Sequence, residues 1–165
     1  MYLQELGFQP KSVIKAWTYV SSDPFEELLL GPTYAAHKVL QLAGLTLKDI
    51  GVIEIHEAFA GQVLSNLKVV VFRISRDILI FLQAMGSAKF AEEKFANKTP
   101  VGDVDVSKLN LWGGSLAIGH PFGATGARLV TTASNRLIAE GQKYALLAAC
   151  ADGGLAHACI LERYE

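Results

Sequence analysis

The run Tyr144–Ala151, YALLAACA, constrains the fold more than any other stretch of the chain. It is apolar throughout, so a strand built from it cannot turn either face to water. Unbroken runs of this kind belong to central strands covered on both sides. A sheet covered on both faces needs helices above and below it. Thr33–Ala43 has apolar residues at helical spacing and is closed by Gly44. Ala124–Glu140 reads the same way and is closed by Gly141. Val13–Val20 and Gly51–Ile55 read as strands, the latter running straight into a helix from His56 to Lys68. His157–Glu162 reads as a last strand, antiparallel to Tyr144–Ala151 because the Gly153-Gly154 link is short. Tyr2–Leu6 reads as a helix end, Ser87–Phe95 as a short helix and Ala96–Lys108 as a polar loop. The alternation predicts a layered α/β domain with a mostly parallel sheet.

The chain has 165 residues, enough for one domain with a sizeable core. Its net charge of −1 gives no case for nucleic acid, which selects a clustered basic excess. Two cysteines, Cys150 and Cys159, are too few for a disulfide framework and match no zinc spacing, so a reducing compartment is the default and no metal is expected. The start, MYLQELGF, lacks the basic residues and long apolar run of a cleavable signal peptide. The longest apolar run, residues 69–82, is interrupted by Arg73, Arg76 and Asp77 and is too short to span a bilayer.

Chemistry concentrates around Asn110–Arg128, NLWGGSLAIGHPFGATGAR. SLAI reads as a strand and ATGARL as a helix start, which leaves His120 at a corner between Gly119 and Pro121. Glycines there cost folding entropy and call for a reason. In layered α/β sheets, sites form at the carboxyl ends of strands. His56 follows one strand, Cys150 closes another and His120 follows SLAI, so three reactive side chains can share one edge of the sheet. Each also has a plain structural reading: His56 as a helix start, Cys150 as buried packing. His37 and His157 read as structural, Cys159 as core and Glu57 as a helix cap. GHPFGATG is neither GxGxxG nor a P-loop, which argues against nucleotide hydrolysis.

HEAFA, GHPFGATG and CADGG, in that order and spacing, resemble the carboxyl-terminal half of the thiolase family. HEAFAGQVLSNLK, AMGSAKFAEEKF and the tail CADGGLAHACILERY resemble its long-chain 3-ketoacyl-CoA branch, whose members work as the β subunit beside a hydratase/dehydrogenase α subunit. The resemblance implies the thiolase-fold C-terminal domain over residues 1–165, a layered mixed α/β sheet with helices on both faces, incomplete at its first strand. It implies fatty-acid β-oxidation chemistry, in which a 3-ketoacyl-CoA and coenzyme A become acetyl-CoA and a shortened acyl-CoA. His120 matches the histidine that takes the nucleophile's proton. Cys150 matches the acid/base cysteine, its thiol drawn toward neutrality by a nearby imidazole or amides. His56 matches a donor to the enolate oxygen, and the backbone N–H of Asp152 a second oxyanion donor, although Asp152 stands where the family has a small residue. Coenzyme A is then a co-substrate, with no permanently bound cofactor. A homodimer, a mitochondrial location and inner-membrane association of the parent complex are implied in the same way.

The family's nucleophilic cysteine lies in the amino-terminal half, and neither Cys150 nor Cys159 has its context. The expectation is therefore a truncated chain, inactive alone. Val69–Gln83 separates segments that are continuous in the family, and its end residues fit intron boundary codons, so a retained in-frame intron is expected there. A helix extension or membrane-facing hairpin is the alternative. Two other readings stay open for the whole chain. One is a non-catalytic interaction module on the same fold; the other is a ketoacyl synthase, which Cys150 disfavours.

Overall fold

The computed structural model describes residues 5–67 and 85–165. The insert expected at 69–83 lies outside them, as do Lys68 and most of the helix end expected at Tyr2–Leu6.

Among the described residues, four strands form one sheet: β1 Ser12–Ser21, β2 Ile50–Ile55, β3 Tyr144–Ala151 and β4 Leu155–Arg163, in the spatial order β1-β4-β3-β2. β2 and β3 run parallel, while β4 runs antiparallel to both β3 and β1. The sheet is thus mixed, and the mostly parallel sheet expected from alternation is corrected. The β1–β2 and β2–β3 connections are both long crossovers, but β4 enters the sheet between β1 and β3 in the opposite direction. Asp152–Gly154 turns β3 directly into β4, and a short link of that kind can join only antiparallel neighbours. Gly153 and Gly154 both have φ of 76°, and a Cβ on Gly154 would lie 2.6 Å from the carbonyl oxygen of Ser22 at the end of β1.

Alternation along the strands divides the core in two. Ile53, Ile55, Leu146, Ala148, Ala158 and Ile160 face α1 (Gly31–Ala43), which presents Ala35, Ala36, Val39 and Leu40. Val52, Leu147, Cys159 and Leu161 face α5 (Ala124–Ala139), which presents Leu129, Ala133 and Leu137. Helices therefore cover both faces, as expected. Pro32 opens α1, and a left-handed Gly44 closes it with Gly44 N bonding Gln41 O and Leu45 N bonding Leu40 O.

The short helices α2 (Ala60–Asn66), α3 (Ala88–Lys94) and α4 (Ser115–Ile118) lie around the α1 face and the far edge of β2. Asn66 is buried, bonding Thr33 through Oδ1 and the Leu29 carbonyl through Nδ2, and its own carbonyl accepts from Met85 N at 3.3 Å. His37 stacks on Phe95 with ring centroids 3.8 Å apart and bonds Asn97, which confirms its structural reading. Cys159 is buried core, also as read from the sequence.

Under the sheet, Arg136 of α5 is fully buried against Glu54 of β2, with Nη1 and Oε1 2.7 Å apart. The other contacts of its guanidinium are the Ile53 and Lys108 carbonyls and both carboxylate oxygens of Glu140. All five donors of this arginine are engaged. Burial pushes the Glu54 carboxyl above its ordinary range, and the guanidinium beside it pulls back against that shift.

Candidate active site

The site is assembled at the carboxyl ends of β2 and β3. His56 leaves β2 still in the ladder, its N–H bonding the Ala148 carbonyl at 2.9 Å, and the expected helix does not begin until Ala60. The delay has a cause in Glu57. Its Oε1 accepts from Asn110 Nδ2 at 2.7 Å and its Oε2 from Leu116 N at 3.1 Å, which holds this segment against the glycine-rich stretch. Glu57 is a helix cap, as read, but the helix it caps is α4 rather than its own. Gly114 packs so closely on the Glu57 carboxylate that a Cβ there would overlap it.

SLAI is the helical turn α4, not a strand. Ala117 N and Ile118 N both bond the Gly114 carbonyl, the Glu57 carboxylate meets the turn's open N-terminus, and Leu116 and Ile118 are exposed. Asn110 stitches the stretch to β2. It is left-handed at φ 47°, its N–H bonds Ile53 O, and its side-chain amide bonds both the N–H and the carbonyl of Ile55 at 2.8 Å.

His120 follows α4 after Gly119, whose φ is 89°. Its ring lies 4.3 Å from that of His56, centroid to centroid, at 42°. Hydroxyls hold the Nδ1 atoms of both rings: Ser115 Oγ is 2.9 Å from His56 Nδ1, and Thr125 Oγ1 is 2.7 Å from His120 Nδ1. Arg128 Nη2 donates to Ser115 Oγ at 2.8 Å and Nη1 to the Gly119 carbonyl at 3.2 Å.

An open cavity of about 450 Å³ collects His56, His120, Thr125, Cys150, Asp152 and His157. Another cleft of about 460 Å³, between Phe25, Leu28, Phe59 and Gln62, gathers no histidine or cysteine. The first is the candidate site. All four site residues named from the sequence line it. So does His157, read from the sequence as structural: it sits opposite Ala149 in the β3–β4 ladder, one residue from Cys150. Ser115, Thr125, Arg128 and Asn110 were missed as site residues, although all four lie inside the glycine-rich stretch.

Burial is the main electrostatic influence. It pulls His56 below the ordinary imidazole value, helped by His120 and Arg128 and opposed by Glu57. It lowers His157 in the same direction. It pushes the Cys150 thiol up rather than toward neutrality, so the expected acidification is reversed; no imidazole or amide outweighs the loss of solvent. The thiol shares its cavity with the His56 and His120 imidazoles. The Asp152 side chain is turned back on its own loop, Oδ1 accepting from Gly153 N at 2.9 Å.

The model of the thiolase C-terminal domain matches residues 8–163. The mitochondrial trifunctional enzyme subunit beta of Mus musculus is 51% identical over 159 residues, 96% of this chain and 30% of the relative. The Homo sapiens subunit is 52% identical over the same shares. A 3-ketoacyl-CoA thiolase of Shewanella frigidimarina is 45% identical over 95% of this chain and 33% of the relative. The crystal structure of human mitochondrial 3-ketoacyl-CoA thiolase superimposes with a TM-score of 0.73 at 29% identity, covering 99% of this chain and 33% of that one. The chain spans about a third of the length of the relatives it matches. On a match that runs through both helix-covered faces of the sheet and all three motifs of the site, the chain belongs to the thiolase family, as its C-terminal domain.

Proposed function

We propose that these residues supply the acid/base and oxyanion half of a 3-ketoacyl-CoA thiolase of fatty-acid β-oxidation. The observation that carries this is the pairing of His56 and His120, 4.3 Å apart with each Nδ1 on a hydroxyl, in one cavity with Cys150. A nucleophilic thiolate attacks the 3-keto carbon, and His120 takes the thiol's proton. The bond between C2 and C3 breaks, the acyl group stays on the nucleophile, and the electron pair passes to the acetyl-CoA enolate. Cys150 protonates C2 of that enolate. The raised thiol suits this step, since the proton is in place at neutral pH. Coenzyme A then gives its thiol proton to the Cys150 thiolate and takes the acyl group as a shortened acyl-CoA, and the nucleophile that leaves recovers its proton from His120.

His56 and His120 donate to the thioester oxygen as charge gathers there, and the Asp152 N–H serves the keto oxygen. The two cysteines among these 165 residues are Cys150 and the buried Cys159, so the nucleophile comes from outside them. By likeness to the mitochondrial beta subunits, the intact protein works in mitochondria, as a dimer, beside a hydratase/dehydrogenase alpha subunit at the inner membrane. Coenzyme A, present in one crystal structure of the human relative, is its co-substrate.

The test is a graft in which residues 8–163 replace the matching third of the mouse beta subunit. It is expected to cleave 3-ketohexadecanoyl-CoA, while His120→Ala or Cys150→Ala in the graft lowers kcat by about 10²–10⁴. The 165-residue chain alone is expected to give no thiolysis. A graft that turns over equally well with both residues replaced overturns the proposal.

A further inference from the structure

We infer that Arg128 and Ser115 form a positioning relay that fixes His56 in its Nε2–H tautomer and makes its ring a hydrogen-bond donor to the cavity. The inference rests on the thiolase reading only for what His56 then donates to.

The geometry decides the direction of each bond. A guanidinium has donors and no acceptor, so the 2.8 Å contact between Arg128 Nη2 and Ser115 Oγ has one polarity: the hydroxyl oxygen accepts. Ser115 is buried, and its hydroxyl carries one hydrogen of its own. Among its contacts in the described residues, the acceptor within reach is His56 Nδ1, at 2.9 Å. Were Nδ1 protonated, Ser115 Oγ would face two donors and its own hydrogen would be buried without an acceptor. The consistent assignment is Arg128 to Ser115 to His56 Nδ1, which leaves the proton on Nε2.

Arg128 also reaches the carbonyl of Gly119, the residue before His120. One side chain thus holds the peptide that leads into one histidine and, through Ser115, the ring of the other. Thr125 offers His120 a hydroxyl but brings no cation, so nothing comparable fixes the polarity of that contact. The charged and titratable groups acting on His56 are His120, Arg128 and His157, which lower its pKa with burial, and Glu57, which raises it.

The test uses the 165-residue chain with ¹⁵N-labelled histidine and needs no catalysis. Long-range ¹H–¹⁵N spectra of the wild type are expected to show His56 with a bare Nδ1 and a protonated Nε2. Ser115→Ala is expected to give a mixture of tautomers, and Ser115→Thr to restore the single form. Arg128→Gln is expected to raise the His56 pKa and loosen the tautomer, with the amide spectrum of the sheet unchanged. A wild-type His56 protonated on Nδ1 overturns the relay, whatever the variants do. So does an Arg128→Gln chain whose His56 keeps both tautomer and pKa. In the active graft, Ser115→Ala is expected to lower kcat with little change in KM, up to the roughly 10²–10³ that one oxyanion donor is worth. If the graft fails to turn over while the spectra hold, the thiolase reading fails and the relay stands.

Discussion

Arg128 and Arg136 stand about two turns apart on α5, and the sheet uses them in opposite ways. Arg136 is sealed. Two carboxylates and two carbonyls occupy all five of its donors, and it and Glu54 are almost without solvent exposure. Arg128 is half-buried, with one donor on a hydroxyl and one on a carbonyl. The first arginine ends a network; the second passes polarity onward to an imidazole whose other nitrogen has no hydrogen-bond partner among the described residues. A charge closed on all sides fixes structure, whereas a charge closed on one side can set the state of a neighbour.

The contrast breaks most easily at Arg136. Arg136→Met leaves Glu54 buried without its counter-charge and is expected to lower the unfolding free energy by about 3–5 kcal/mol. Urea titration reads this directly. Arg136→Met combined with Glu54→Leu is expected to recover most of the loss; if the double variant is as unstable as the single, the ion pair is not what the site needs. Arg128→Gln, by comparison, loses two bonds to neutral partners at a half-solvated position. It is expected to cost only about 1 kcal/mol in the same titration. A loss as large as that of Arg136→Met would erase the distinction between the two arginines.

The smallest effect is a pH dependence. Burial holds His56 and His157 below their unfolded values, so the unfolded chain binds more protons as the medium turns acid. Stability from this source is complete above roughly pH 6.5 and is lost as the pH falls through the folded values. The urea midpoint is therefore expected to drop between about pH 7.5 and 5.5, and His157→Gln to flatten that drop. A midpoint that rises on acidification contradicts the sign.

Much of this was legible in the sequence because the signals were local. The unbroken apolar run of β3, the 3.6-residue pattern of α1 and α5 and the closing glycines Gly44 and Gly141 each report their own segment. His56, His120 and Cys150 could be brought to one sheet edge because strand ends converge by topology. What escaped depends on distant partners. SLAI has the composition of a strand and becomes a helical turn because Glu57, remote in sequence, caps it. Ser115 and Arg128 carry no pattern of their own, and their roles exist only once both histidines are in place. His157 looked like one strand residue among others until the β3–β4 register set it beside Cys150. The Cys150 thiol was expected to be acidified, but burial, a property of the assembled sheet, outweighed its neighbours.

The bond between Met85 N and the Asn66 carbonyl has a consequence for how this domain can vary in length. Both residues are rooted in the core: Asn66 through Thr33 and Leu29, Met85 through full burial and through its carbonyl, which accepts from Gly102 N at 3.1 Å. Chain leaving at Asn66 therefore re-enters where it left. For any flexible segment placed between anchors so close, each doubling of its length costs only about 0.6 kcal/mol of closure entropy. The junction is a natural splice point. A flexible reporter inserted there is therefore expected to leave the sheet, the paired histidines and both arginines in place.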